Sequence, residues 1–93
     1  MVIGALEVKL KAPWVHSLKE KRMIIRSLVA KIRQKFNVSV HEVAAMDHLQ
    51  TIVLGITTCS NSKVKVQSVL DHVVNFIEEN HDLMVEGVTT QFY

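Results

Sequence analysis

The stretch from Gln50 to Ser62 reads QTIVLGITTCSNS, and it decides the fold more than any other part of the sequence. Residues 50–59 are apolar or β-branched on both alternating rows, which is typical of a central strand buried on both faces. Ser60, Asn61 and Ser62 follow at once, and these residue types cap the N-termini of helices. The sequence therefore predicts a central strand that leads directly into a helix.

The residues before this stretch predict a strand, a helix and a second strand. Residues 2–10 carry an unbroken alternating row of apolar side chains, which predicts a strand. Ser17 to Glu20 fit a capping box, and an apolar stripe at helical spacing continues to about Phe36. Asn37 tolerates the left-handed conformation, and we expect it to end this helix. The β-branched run 38–43 predicts a strand that forms a hairpin with the central strand.

The residues after it complete the order β-α-β-β-α-β. A second apolar stripe predicts a helix that stops near Asn80, and Leu83 to Tyr93 predict a last strand, irregular around Gly87, where we expect a bulge. Two βα units joined through a hairpin predict an α+β, ferredoxin-like βαββαβ sandwich spanning residues 1–93 as a single domain. Its four-stranded antiparallel sheet has the expected order 4-1-3-2, with both helices on one face.

Charge is distributed unevenly along the chain. Residues 1–40 carry nine Lys/Arg and two acids, a net charge of +7, whereas residues 41–93 carry two Lys and seven acids, a net charge of −5. Such polarity suggests a basic face with an anionic partner. The cations predicted to lie along one ridge of the first helix are Lys19, Arg22, Arg26 and Arg33, with Lys21, Lys31 and Lys35 on its other flank. Lys9 and Lys11 on the first strand are predicted to extend the basic surface.

An anionic macromolecule is the partner that we expect for these cations, because arginines on one ridge suit phosphate oxygens. The alternative is a solvated helix face whose cations pair with acids elsewhere in the fold, such as Glu7 or the second helix.

Several other chemistries are disfavoured. The loop after the first strand, 11–17, has no glycine and contains Pro13, so it does not resemble an anion-binding turn of the acylphosphatase kind. The single cysteine, Cys59, excludes a two-cysteine metal site and is expected to be a small buried hydrophobe. No two of the five histidines are spaced i,i+4 on a helix. The central strands lack aromatic residues, which disfavours base stacking on the sheet. We therefore expect no enzyme activity, no cofactor and no metal.

The composition, 48% hydrophobic and 22% charged, excludes an intrinsically disordered chain. No apolar run approaches about 18 residues, so we expect no membrane span. A lone cysteine favours a reducing compartment, and we expect a cytoplasmic protein.

The sheet surface opposite the helices is a candidate dimer interface. If the alternate residues of the central strand face the helices, Val53 joins Ile3 and Ala5 on that surface. A contiguous apolar patch there would be covered by a second copy, and we expect a homodimer with these three residues at its interface.

Four segments resemble the YlxP-like family of small bacterial proteins, and the resemblance covers essentially the whole chain. They are VIGALEV at 2–8, SLKEKR at 17–22 and FNVSVHEV at 36–43, together with Leu54-Gly55 leading to Ser60-Asn61. The resemblance implies a ferredoxin-like fold and transfers no catalytic residues. The family's genes commonly lie among those for translation initiation and maturation of the small (30S) ribosomal subunit, which implies a link to the ribosome. We therefore expect a non-catalytic accessory protein that binds RNA or the 30S subunit. The alternative is a homodimeric interaction or regulatory module with no nucleic-acid role.

Overall fold

Two α-helices pack on one face of a four-stranded antiparallel sheet in the computed structural model, which describes residues 1–80 and 82–93. The elements are β1 (Val2–Lys11), α1 (Leu18–Lys35), β2 (Ser39–Ala44), β3 (Thr51–Ser60), α2 (Lys63–Glu78) and β4 (Met84–Phe92). The strands lie in the order β2-β3-β1-β4, which is the predicted order read from the other edge. The predicted ferredoxin-like βαββαβ sandwich is confirmed.

The hydrophobic core lies between the helices and one row of side chains on each central strand. Buried residues of β1 pair across the sheet with buried residues of β3, as Leu6 with Ile56, Val8 with Leu54 and Leu10 with Ile52. The helices bury Leu28, Val29 and Ile32 from α1 and Val66, Leu70, Val73 and Ile77 from α2. The predicted apolar stripes of both helices therefore face the core.

The opposite rows of the same strands face away from the helices and form what we call the open face. On β1 and β3 this face consists of Ile3, Ala5, Glu7, Lys9 and Lys11 and of Thr51, Val53, Gly55, Thr57 and Cys59. In the described part of the chain, neither helix combines the length and the apolar character needed to cross a bilayer.

Two glycines permit close approaches on opposite faces of the sheet. A Cβ atom on Gly4 would overlap Val66 Cγ1 and would lie 2.8 Å from Leu70 Cδ1, so α2 packs directly against the β1 backbone. A Cβ atom on Gly55 would lie 2.6 Å from Val43 Cγ1 on the open face. Each glycine is therefore required by the side chain that lies over it.

Both edge strands contain an irregularity. In β4, Lys9 pairs with Gly87 and Leu10 with Val85, so Glu86 is the extra residue of a bulge, as predicted around Gly87. In β2, the pairing shifts between Glu42 and Ala44, which leaves Val43 as the extra residue. Bulges at sheet edges discourage pairing with another chain.

The predicted end of α1 is right in position and wrong in mechanism. The helix ends at Lys35, and Phe36 adopts an extended conformation with φ −129° and ψ 144°. Asn37 does not take the left-handed conformation, since Ala45 is the non-glycine residue with positive φ among those described. Phe36 instead packs edge-on against Phe76 of α2, with ring centroids 5.8 Å apart. The helix therefore stops where tertiary packing turns the backbone.

Candidate nucleic-acid interface

The start of α1 is fixed by two side-chain caps. The Ser17 hydroxyl accepts a hydrogen bond from the Glu20 amide at 3.1 Å, as the capping box predicts. The Glu20 carboxylate accepts from the amide of His16 at 2.9 Å, one residue before the position that the motif predicts. Because the first turn is fixed, so is the direction in which each later side chain of α1 points.

Three cations of α1 are exposed next to one another. Lys19, Arg22 and Arg26 are separated by three and four residues, so their side chains are neighbours on one side of the helix. Within the described residues, no carboxylate oxygen lies within 4.0 Å of any of the three. With Arg33, these residues form what we call the α1 ridge. Lys19, Arg22 and Arg26 have no acidic partner among the described residues and are available to an external anion.

Arg33, at the C-terminal end of the α1 ridge, is partly engaged within the chain. Its Nη2 donates a hydrogen bond to the Val40 carbonyl of edge strand β2 at 2.9 Å. This bond ties the C-terminal end of α1 to the edge strand β2. Arg33 therefore helps to hold the ridge in place.

Lys21 does not lie on an exposed flank of α1, as predicted, because its side chain is buried. The residue is 1% exposed, and its ammonium donates to the carbonyls of Ala45 at 2.7 Å and His48 at 2.6 Å. It also lies 3.1 Å from Glu42 Oε2. The ammonium replaces its hydration shell with oxygens of the β2–β3 loop, and this accounts for its burial.

The carboxylate of Glu42 depends on Lys21 in turn. Its Oε2 atom is shielded from solvent and accepts no well-aligned hydrogen bond within the described residues, so the Lys21 charge compensates it. The loop that Lys21 binds contains Ala45 in the left-handed region, with φ 58°. The short SLKEKR string thus combines a cap, a buried anchor for the β2–β3 loop and two cations of the ridge.

The structure does not bring Lys9 and Lys11 to the α1 ridge. Both lysines lie on the open face, because the residues that alternate with them on β1, Val8 and Leu10, are buried against the helices. Lys9 lies 3.9 Å from Glu86 Oε2, and Lys11 donates to the Thr51 hydroxyl at 3.0 Å. The predicted extension of the basic surface onto β1 is therefore wrong.

The three residues predicted at a dimer interface do not form one patch. Ile3 pairs with Cys59 and Ala5 with Thr57, whereas Val53 pairs with Lys9 farther along the sheet. Val53 is only 7% exposed, since it lies between Lys9 and Ala44 of the neighbouring strands. Ile3 and Ala5 remain half-buried on the open face. Val53 therefore offers almost no surface to a partner, and the predicted contiguous patch is absent from the described open face.

Cys59 is exposed, contrary to the prediction of a buried hydrophobe, because it lies on the open-face row near the end of β3. Across residues 1–80 and 82–93, no group of three or more His, Cys, Asp or Glu side chains is placed to hold a metal ion. His81, one of the five histidines, lies outside the described residues.

The fold and the exposed cations define a small ferredoxin-like domain with a basic ridge on its first helix. Comparison with known structures supports the fold: a de novo designed protein with ferredoxin fold, LFR1 1, superposes with a TM-score of 0.57. The match covers 100% of this chain and 84% of the design, at 17% sequence identity.

Sequence comparison identifies the family. Residues 3–90 match the family model described as "Protein of unknown function (DUF503)". A curated relative, "Uncharacterized protein YlxP" of Bacillus subtilis (strain 168), is 37% identical over 62 residues, which are 67% of each chain. The chain belongs to this YlxP-like DUF503 family, as its sequence motifs indicated.

Proposed function

We propose that this protein is a non-catalytic, cytoplasmic accessory protein that binds RNA, on the small ribosomal subunit, through the α1 ridge. One observation carries the proposal. Lys19, Arg22 and Arg26 are exposed together with no carboxylate partner in residues 1–80 and 82–93, whereas the Lys21 ammonium on the same helix is buried and hydrogen-bonded. The chain contains nine Asp and Glu residues, yet in the part of the chain that the structure describes no carboxylate lies within 4.0 Å of these three cations.

Phosphate oxygens suit this arrangement. Arg22 and Arg26 are one turn apart, about 6 Å along the helix axis. Each guanidinium carries a planar fork of donors that matches two phosphate oxygens, and it stays charged at every physiological pH. Binding through such contacts is dominated by the nucleic-acid backbone and weakens as salt increases.

Hydrogen bonds that hold both ends of α1 in place favour binding without rearrangement of the helix. Arg33 ties the last turn of α1 to β2, and Lys21 ties its first turn to the β2–β3 loop. Because one end of the helix is tied to β2 and the other to the β2–β3 loop, little backbone entropy is lost when the ridge binds a ligand.

Charge reversal on the ridge is the direct test. The double variant Arg22→Glu/Arg26→Glu is expected to lose binding to 30S subunits or to ribosomal RNA in a filter-binding assay. Both positions are exposed, so the free energy of unfolding should change by about 1 kcal/mol or less. The matched control is Lys63→Glu/Lys65→Glu on α2, which changes the net charge equally on a different surface. Unchanged affinity in the ridge variant, or an equal loss in the control, contradicts the proposal.

A homodimer remains the second candidate, and one feature of the open face favours it. Tyr93 is 69% exposed and is joined to half-buried Ile3 by two backbone hydrogen bonds, of 3.0 and 2.8 Å. Ala5 lies two residues farther along β1, so this end of the open face is its apolar part. Light scattering is expected to give twice 10.5 kDa, and Ile3→Lys to give a monomer. A wild-type mass of one chain at high protein concentration rules the dimer out.

A further inference from the structure

A groove runs along α1 beside the α1 ridge, between this helix and the segment that joins α2 to β4. Its volume is about 260 Å³, and its lining includes Trp14, Met23, Ser27, Lys31, Asn80 and Leu83. Leu83 is buried and belongs to the core, so the floor of the groove is apolar. Trp14 and Met23 are both exposed large hydrophobic side chains at its walls.

Trp14 is held in one orientation. Its indole Nε1–H donates to the Asp82 carbonyl at 2.9 Å, which fixes the ring against the α2–β4 segment. The residue is nevertheless 43% exposed. A fixed and exposed aromatic ring loses little entropy when another flat ring stacks on it, and Trp presents the largest face for such stacking.

The groove is continuous with the α1 ridge. Lys19, Met23, Ser27 and Lys31 follow one another at four-residue spacing, so they form one row of neighbouring side chains along α1. Lys19 belongs to the ridge, and the other three residues of this row, Met23, Ser27 and Lys31, line the groove. A ligand that follows the row passes from the free cations of the ridge into the apolar groove.

The charges in the groove favour an uncharged ligand part. Lys31 and Asp82 both line it, and their opposite charges offset each other. The Ser27 hydroxyl and the Asn80 amide supply both donors and acceptors. A phosphate group is favoured on the ridge, whereas a planar, uncharged ring with hydrogen-bonding edges is favoured in the groove.

The geometry points to a binding site for an unpaired RNA base in this groove, stacked on Trp14 while the flanking phosphates bind the α1 ridge. This inference rests on the proposed function and narrows it, because a base inside a duplex cannot enter the groove. The ligand is therefore single-stranded RNA, or a loop or bulge, in which bases are free to stack on aromatic side chains.

The wild-type protein provides the first test, since Trp14 is its single tryptophan. Tryptophan emission is recorded while a short single-stranded RNA is added, and the titration is repeated with a duplex of the same sequence and with a strand of abasic nucleotides. The single strand is expected to quench Trp14 with saturation, and the other two are expected to bind without quenching. Equal quenching by all three, or none by the single strand, overturns the inference. A shift of Trp14 emission with protein concentration alone would place a second copy in the groove and also overturn it.

Variants separate this inference from the proposed function. Trp14→Leu is expected to weaken single-stranded RNA binding about tenfold, or about 1.4 kcal/mol, and to leave duplex binding within about twofold. Trp14→Phe keeps an aromatic face and should lose much less affinity for the single strand. Circular dichroism checks that both variants are folded. If Trp14→Leu binds the single strand as the wild type does while Arg22→Glu/Arg26→Glu binds no RNA, the groove site is wrong and the ridge stands. If the wild type binds no RNA, both are wrong.

Discussion

Replacing Lys21 with methionine tests the structural role of the buried ammonium on α1. Methionine keeps the unbranched stem but removes the charge and its hydrogen bonds to the carbonyls of Ala45 and His48. Removing one partner of a buried ion pair costs about 3–5 kcal/mol, because the other charge is left uncompensated. The Glu42 side chain is 22% exposed, so water can partly solvate its carboxylate once the Lys21 charge is removed. We therefore expect a loss at the lower end of this range, about 3 kcal/mol of the free energy of unfolding.

Urea and thermal denaturation followed by circular dichroism measure this loss. For a domain of this size, each kcal/mol lost from the free energy of unfolding lowers Tm by about 4–8 °C, so Lys21→Met should lower Tm by about 12–24 °C. Lys19→Met, two residues away and exposed, is the control and should change stability by about 0.5 kcal/mol or less.

A second substitution tests the cause of the loss. Adding Glu42→Met to Lys21→Met removes the stranded carboxylate and should recover about 1–2 kcal/mol. If Lys21→Met is as stable as Lys19→Met, the ammonium does not anchor the β2–β3 loop and the reasoning fails.

Two further stability predictions concern the core. Leu28→Ala should cost about 2–5 kcal/mol in urea denaturation, since Leu28 is 3% exposed in the cluster between α1 and the sheet, and a wild-type midpoint would contradict this packing. Gly4→Ala should cost about 1–3 kcal/mol, because the new methyl group overlaps Val66. Gly87→Ala, where an added Cβ meets nothing within 4 Å, is its control, and equal stability of the two variants would refute the close packing at Gly4.

The fold could be predicted from the sequence because local signals agree with one another along the chain. The strands alternate, the helices carry apolar stripes, and Ser17 and Ser62 cap the two helices as predicted. The end of α1 was predicted with the wrong mechanism because it depends on a tertiary contact. Asn37 was predicted to end α1 by its own conformation, but the packing of Phe36 on Phe76 accompanies an extended backbone one residue earlier.

The candidate site was predicted only in part. The ridge on α1 follows from helical geometry, but the positions of Lys9 and Lys11 depend on which row of β1 the helices cover. The burial of Lys21 had a signal in the sequence: positions 21, 25, 28 and 32 have the spacing of one buried stripe. A lysine within that stripe indicated a cation with an internal partner. Its partners on the β2–β3 loop come from a distant part of the sequence, and only the fold brings them together.

The salt dependence of RNA affinity tests the central claim most directly. For a single-stranded RNA, the slope of log K against log salt is about −0.7 for each phosphate contact that a cation makes. Contacts from Lys19, Arg22 and Arg26 predict a slope of about −2 for the wild type and about −0.7 for Arg22→Gln/Arg26→Gln, measured between about 50 and 200 mM salt. A wild-type slope near zero, or the same slope in both proteins, would contradict binding through the α1 ridge.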